Sequence, residues 1–228
     1  MSGVIAIIPA AGGGLRMGKE LPKPFLEVAG APLIIHTLER FERCPQVDCM
    51  VVLVDKDYLG LCRRIISHQP FEKIKEVIPG GERRMDSVKI GLSVIPETTE
   101  LVVIHDGVRP LVSPSLISRV IEKAREVGAA IAAVPPVDTM KEAAEGYILN
   151  TIDRSRLMRA QTPQAFHYRI IMKAYQEAER KEVSATDDAS LVEALGGKVA
   201  IVPGSHLNIK VTTPEDLMIA ELLLKEGI

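Results

Sequence analysis

Residues 9–23 read Pro-Ala-Ala-Gly-Gly-Gly-Leu-Arg-Met-Gly-Lys-Glu-Leu-Pro-Lys, a glycine-rich loop with cations at Arg16, Lys19 and Lys23, directly after the apolar run 4–8. Small residues let backbone N–H groups approach a ligand closely, and turned N–H groups beside fixed positive charge make a phosphate cradle. Two better-known loops are near misses. Gly13-x4-Gly18-Lys19 has the P-loop spacing, but Glu20 stands where Ser or Thr would hold Mg2+. Gly12-x-Gly14-x-x-Met17 approximates the dinucleotide fingerprint, but Met17 replaces the small residue that allows close helix–strand packing. Asp55 ends the second apolar run, yet it lies about twice as far from the glycines as the usual ribose-binding acid.

A second cluster, His105-Asp106-Gly107-Val108-Arg109-Pro110, follows the run 101–104. A carboxylate at a buried strand end, opposite a triphosphate loop, suits Mg2+, which takes oxygen ligands from one or two carboxylates plus substrate phosphates. A plain Asp106–Arg109 ion pair is the other reading. Residues 79–87, with Gly80, Gly81, Glu82, Arg84 and Ser87, form a turn into a helix after a short strand and can contact a base or ribose, or serve as a solvated turn. Arg154, Thr162, Thr186 and Lys210 are further donors, and Thr186 also suits a helix cap. His36, among apolar neighbours on a helix, reads as structural. The remaining histidines lack metal-ligand spacing, and no Ser-His-Asp, Cys-His or G-x-S-x-G arrangement occurs.

These groups need a scaffold. Strand-like runs at 4–8, 50–54, 101–104, 130–134 and 199–202 are almost continuously apolar, as in strands buried on both faces of a mainly parallel sheet. Helical stretches near 32–41, 59–67, 85–94, 114–127, 170–179, 189–195 and 214–225 alternate with them. Ser113-Pro114 and Thr213-Pro214 place an N-cap before a first-turn proline, and Thr213-x-x-Asp216 resembles a capping box. The alternation predicts a doubly wound α/β fold, whose ligands bind beyond the carboxyl ends of the strands. Between Pro135-Pro136 and about Met158 the alternation stops, and a hairpin-like excursion turning at Glu145-Gly146 is expected, as a functional loop or an oligomer contact.

The chain of 228 residues suits one domain, with 46% hydrophobic and 25% charged residues, as in a globular enzyme. Its net charge of −2 argues against non-specific nucleic-acid or membrane binding. Cys44, Cys49 and Cys62 lack C-x-x-C spacing and read as reduced, half-buried thiols. No run is long enough for a signal peptide or a bilayer span, so the expected location is cytoplasmic.

Taken in series, the motifs resemble a known family. Residues 10–17 with Pro22-Lys23 resemble the nucleotidyltransferase signature A-A-G-x-G-x-R-M…P-K. His105–Pro110, Asp138-Thr139-Met140-Lys141, Gln161-Thr162-Pro163-Gln164, Thr186-Asp187 and Asn208-Ile209-Lys210-Val211-Thr212 resemble, in order, those of the 2-C-methyl-D-erythritol 4-phosphate cytidylyltransferases. The resemblance covers essentially the whole chain, although Gly107-Val108 and Pro24-Phe25 depart from the usual residues. It implies a Rossmann-like nucleotidyltransferase domain over 1–228 with a projecting β-arm at about 136–157. It also implies a Mg2+-dependent transfer of cytidylyl from CTP to a polyol phosphate, and a homodimer clasped through the arm. Arg16, Lys23, Arg154 and Lys210 are then catalytic. Ala10, Ala11, Gly12, Gly14, Gly81, Glu82, Arg84 and Ser87 would bind CTP. Asp106, which would also hold the metal, joins Arg109, Thr139, Arg154, Thr162, Thr186 and Lys210 at the acceptor, with Thr139 or Arg154 serving the neighbouring subunit's site. The competing readings are a ribitol-5-phosphate cytidylyltransferase, an NAD-dependent oxidoreductase and a catalytically silent nucleotide-binding regulator.

Overall fold

The computed structural model describes residues 3–11 and 21–227. In chain order its strands are β1 (Val4–Ala10), β2 (Glu27–Val28), β3 (Ala31–Pro32), β4 (Cys49–Val54), β5 (Ile74–Pro79), β6 (Leu101–Ile104), β7 (Ala129–Val134), β8 (Met140–Ala144), β9 (Tyr147–Ile152), β10 (Arg159–His167) and β11 (Ala200–Pro203). The helices are α1 (Leu33–Glu42), α2 (Leu59–Ser67), α3 (Arg84–Val94), α4 (Pro114–Val127), α5 (Tyr168–Arg180), α6 (Asp188–Glu193) and α7 (Pro214–Lys225). Among the described residues, seven strands form one sheet in the order β11-β7-β10-β6-β1-β4-β5. β1 runs parallel to β4 and β6, β4 to β5, and β7 to β11, while β10 is antiparallel to both its neighbours. The expected doubly wound, mainly parallel α/β fold is present.

Both faces of the sheet are covered, and β1 shows why its residues are nearly all apolar. Ala6 and Ile8 pack into a core with Ile34 and Leu38 of α1 and Ile117 and Ile121 of α4. Ile7, pointing the other way, packs with Val88 and Leu92 of α3 and Ile171 of α5. A third cluster joins Val28 and Leu33 to Val211 and Ala220 of α7. α3 lies close on the sheet because Gly91 has no side chain. A Cβ there would stand 2.7 Å from Ile7 Cγ2 and 3.2 Å from Leu53 Cδ1. Gly91→Val is therefore expected to lower the unfolding free energy by about 2 kcal/mol through overpacking, measured as a lower urea midpoint.

Predicted caps are present. Ser113 accepts a hydrogen bond from Leu116 N with Pro114 at N1, and Thr213 and Asp216 form a reciprocal capping box. Thr186 is not the cap of α6: Asp187 holds that place, accepting from Ser190 N at 3.1 Å. Aspartate competes well there because its carboxylate also meets the positive end of the helix dipole. Asp55 caps a short 3-10 turn, accepting from Asp57 N, and lies off the ligand pocket. His36 Nε2 is 2.7 Å from the Val28 carbonyl, a structural contact. The three cysteines are free, with Cys44 and Cys62 buried.

The five apolar runs are sheet strands to within two residues at each end. β10 was not expected. Its polar Gln161, Thr162 and Gln164 and its Pro163 read as loop, yet the strand lies between β6 and β7. The excursion after β7 is a two-stranded hairpin, β8 with β9. It turns at Glu145 and Gly146, both at positive φ (50° and 84°), the geometry of a two-residue hairpin loop that glycine adopts without strain. Every residue of β9 is exposed.

Candidate active site

Strand order reverses beside β1: β4 and β5 extend the sheet to one side, and β6 continues it on the other. Such a switch point opens a crevice at the carboxyl ends of the strands. A cavity of about 700 Å3 is found there. It is lined by Pro9, Ala10 and Ala11 from the end of β1, Arg84 and Ser87 from α3, and Asp106 after β6. Lys23, Lys210 and Thr212 also line it.

Asp106 is the centre of charge. Its side chain is 7% exposed and pairs with three cations: Arg84 Nε at 2.7 Å on Oδ1, and Lys210 Nζ at 3.0 Å and Arg109 Nε at 3.5 Å on Oδ2. Its backbone N–H donates to Thr162 Oγ1 at 3.1 Å. Burial by itself would raise the Asp106 pKa, but Arg84, Lys210 and Arg109 outweigh it and hold the carboxyl far below the usual range. The Asp106–Arg109 pair read from sequence is thus one contact of three.

Arg84 is anchored from behind. Its Nη2 is 2.8 Å from Asp188 Oδ2, placed as an ion pair and not as an aligned hydrogen bond. Asp188 Oδ1 accepts from Tyr175 OH at 2.6 Å. Burial alone would lower the Arg84 pKa; Asp188 and then Asp106 reverse that and raise it. Asp188 is 1% exposed. Gln164 completes the support, accepting from the backbone N–H groups of Asp188 and Ala189 and donating to Asp187 Oδ2. Neither Asp188 nor Tyr175 was foreseen; a second acid beside Asp187, within an apolar helix segment, was the available signal.

The remaining walls are pinned by the backbone. Asn208 Nδ2 donates to the Thr162 carbonyl at 2.8 Å and Val211 N to the Val108 carbonyl at 2.9 Å, so Lys210 is held between two fixed points. Lys23 sits in a 3-10 turn, and its Nζ donates to the Thr212 carbonyl at 2.9 Å. Gly81 N donates to Ser87 Oγ at 3.1 Å, closing the turn before α3. Gly80 is required there, since a Cβ would fall 2.5 Å from Ala11 Cβ.

The sequence candidates divide clearly. Ala10, Ala11, Lys23, Arg84, Ser87, Asp106 and Lys210 line one cavity, with Gly81 and Thr162 one contact behind them. Arg109 touches Asp106 from an adjoining cavity. Glu82, Thr139, Arg154 and Thr186 are exposed and line neither. Thr139 and Arg154 belong to the arm and its base, which this single chain does not bring to the pocket. Gly12, Gly14 and Arg16 lie outside the described residues.

Among the described residues, no three His, Cys, Asp or Glu side chains group to hold a metal. Among the described residues, the one carboxylate lining the 700 Å3 cavity already meets three cations at its two oxygens. A resident ion with an all-protein cage does not fit. The donor set fits a magnesium ion that arrives on a triphosphate and meets Asp106 as one further ligand.

His105, wholly buried, lies 3.2 Å from the Arg109 carbonyl through Nε2 and packs against Phe41 at 5.0 Å between ring centroids. Burial pushes its pKa down to about 3. The unfolded chain, with an ordinary histidine near pH 6.5, therefore binds the extra proton first. The stability is full above about pH 6.5 and declines as pH falls toward 3, by roughly 1.4 kcal/mol per unit. Urea midpoints taken from pH 7 to pH 4 should fall more steeply for the natural chain than for His105→Gln.

A pocket at the switch point of a doubly wound sheet, lined among the described residues by lysines and an arginine around one carboxylate, is what a nucleotidyltransferase of the α/β class needs to hold polyanions. The profile of the family IspD, 2-C-methyl-D-erythritol 4-phosphate cytidylyltransferase, matches residues 4–226. The chain belongs to that family. It is 48% identical over 227 residues to the 2-C-methyl-D-erythritol 4-phosphate cytidylyltransferase of Desulforamulus reducens, covering 99% of this chain and 97% of the relative. It is also 48% identical over 226 residues to that of Syntrophus aciditrophicus, covering 98% and 96%. The crystal structure of 4-diphosphocytidyl-2C-methyl-D-erythritol synthase from Anaerococcus prevotii superposes with a TM-score of 0.86 at 33% identity, covering 98% of this chain and 96% of that one.

Proposed function

We propose that this enzyme transfers the cytidylyl group of CTP to 2-C-methyl-D-erythritol 4-phosphate, giving 4-diphosphocytidyl-2-C-methyl-D-erythritol and pyrophosphate in isoprenoid precursor synthesis. The carrying observation is the Asp106 cluster at the mouth of β1 and β6, where three cations face two buried carboxylates, Asp106 and Asp188. With Lys23 added, the pocket keeps a positive excess for polyanionic substrates.

An oxygen of the acceptor phosphate attacks the α-phosphorus, and the bond to the β-phosphate oxygen breaks, pyrophosphate leaving with the electron pair. The nucleophile is already an anion, so no general base is needed. The obstacle is repulsion: one unit pair at 4 Å costs about 4 kcal/mol at an effective dielectric of 20. Lys23 and, from the sequence, Arg16 offset the charge growing on the α-phosphate and leaving group, while Lys210 and Arg154 hold the acceptor phosphate. Ala10, Ala11, Gly12, Gly14, Gly81, Arg84 and Ser87 surround the nucleotide, with Glu82 at the rim. Arg109, Thr139, Thr162 and Thr186 complete the acceptor side. Magnesium carried by CTP would neutralise phosphate charge, with Asp106 the carboxylate available to it.

The chain is read as one domain over 1–228 with an arm at about 136–157. On the arm, Val137, Tyr147, Ile148 and Leu149 are more than 60% exposed, apolar surface that suits a homodimer contact. In that dimer Thr139 or Arg154 serves the neighbouring subunit's pocket. No helix of the described residues is long and apolar enough to cross a membrane, and we place the enzyme in the cytoplasm. Pyrophosphate release from CTP should require 2-C-methyl-D-erythritol 4-phosphate; equal or faster release with ribitol 5-phosphate would overturn the acceptor.

A further inference from the structure

The loop after β6 carries Asp106 and Arg109, and each of the four carbonyls that follow Asp106 is tied to a different group. Thr37 Oγ1 donates to the Gly107 carbonyl at 3.0 Å, and Val211 N to that of Val108 at 2.9 Å. His105 Nε2 lies 3.2 Å from the Arg109 carbonyl, and Arg40 Nε donates to that of Pro110 at 3.3 Å. Thr37 and Arg40 both come from α1, at a spacing that puts them on one face of the helix. Neither lines the active-site cavity or the one adjoining it. A helical threonine ordinarily turns its hydroxyl back to a carbonyl of its own preceding turn. Thr37, wholly buried, instead directs it to a carbonyl 70 positions away. The same loop is pressed on the end of β1. Gly107 N donates to the Pro9 carbonyl at 3.1 Å, and a Cβ on Gly107 would stand 2.9 Å from Ala10 Cβ.

This loop holds more than its own residues. The Val108 carbonyl fixes Val211, next to Lys210, and Arg109 Nη1 donates to the Asn208 carbonyl at 2.8 Å. Loop 106–110 and segment 208–211 are therefore fastened to each other, and Asp106, Arg109 and Lys210 are carried as one unit. Gly107 is itself buried, so its carbonyl, once deprived of the Thr37 hydroxyl, has no water to turn to and the loop must shift to pair it. A misplacement of about 1 Å at reacting groups costs up to about 10²-fold in rate. We infer that Thr37, outside the pocket, is a positioning residue for cytidylyl transfer, its hydroxyl setting where Asp106, Arg109 and Lys210 stand relative to the phosphates. A hydroxyl that merely satisfied itself in the core would stabilise the fold and leave turnover alone.

The inference rests on the proposed transfer reaction. Thr37→Val keeps the size of the side chain and removes the donor; Thr37→Ala, which also lacks it, should behave alike. Well below the unfolding midpoint of each variant, kcat should fall about tenfold, more than either KM rises, and Thr37→Ser should restore most of it. In an Asp106→Asn background the same change should cost about threefold or less, because residues that act through one another are not additive. Natural kcat in Thr37→Val, with only a lower midpoint, would overturn the inference. So would a loss confined to KM, or an undiminished tenfold loss beside Asp106→Asn. Amide exchange gives a readout that needs no substrate. Thr37→Val should speed exchange about tenfold at Val211 N–H and along 106–110, and leave the bonded amides of Gly81 and Asp188 as they were. Unchanged exchange at Val211, or an equal change at all these sites, would reject the linkage. If the natural enzyme gave no turnover with the proposed acceptor, that reading would fall alone, and the exchange comparison would still decide the role of Thr37.

Discussion

Lys23→Ala is expected to lower kcat by about 10²- to 10³-fold, the cost of removing one preorganised donor from a developing oxyanion, while the KM for either substrate changes far less. The reason is in how the lysine is held. Its turn packs Pro24 and Phe25 into the interior, and Phe25 stacks on Tyr58 at 5.6 Å. Its ammonium reaches the Thr212 carbonyl, and Thr212 is in turn tied to Asp216 at the start of α7. Lys23 is thus set at the pocket wall before substrate arrives, so little reorganisation remains for the reaction step. Charge that strengthens only in the transition state raises kcat and not ground-state binding. Pyrophosphate release measured under saturating CTP and acceptor checks this; wild-type turnover would remove Lys23 from the chemistry. Lys23→Arg keeps the charge with a different shape and should retain part of the activity.

Asp106→Asn is expected to lower kcat by about 10²-fold and to cost about 3 kcal/mol of stability, because breaking a buried ion pair leaves charge uncompensated. Arg84 and Arg109 would lose their shared counter-ion, and only Arg84 has another, Asp188. Affinity for CTP without a divalent cation should hold or rise, since one negative charge leaves a pocket built for polyanions, whereas affinity for the magnesium complex should fall if Asp106 meets the ion the nucleotide carries. Equilibrium binding of CTP with and without Mg2+, beside kcat, checks this: an unchanged difference between the two conditions in Asp106→Asn would remove Asp106 from the metal.

Much of this was legible without coordinates. Strands buried on both faces must be almost wholly apolar, so 4–8, 50–54 and 101–104 stood out. Helices entered by Ser113-Pro114 and Thr213-Pro214 carry their start signals in adjacent residues. Motif residues near strand ends fall near one another in any doubly wound sheet, and so Ala10, Ala11 and Asp106 meet. The antiparallel β10 was hidden because its Gln161, Thr162 and Gln164 look solvent-loving. Each is buried with its polar atoms satisfied by distant backbone: Gln161 Nε2 donates to the Ser205 carbonyl, and Gln164 accepts from Asp188 N.

By itself, then, the sequence determined the fold class, the arm and the chemical types gathered for phosphate transfer, because periodicity, caps and loop composition act over a few neighbouring residues. Only the tertiary structure decided that Arg84, Arg109 and Lys210 share one carboxylate and that Asp188 and Tyr175 brace Arg84 from behind. Apart from Asp106–Arg109, three positions apart and open to local reading, those ion pairs and the Tyr175–Asp188 bond span 13 to 104 positions of chain, and electrostatic partnership depends on distance in space, which no local pattern encodes.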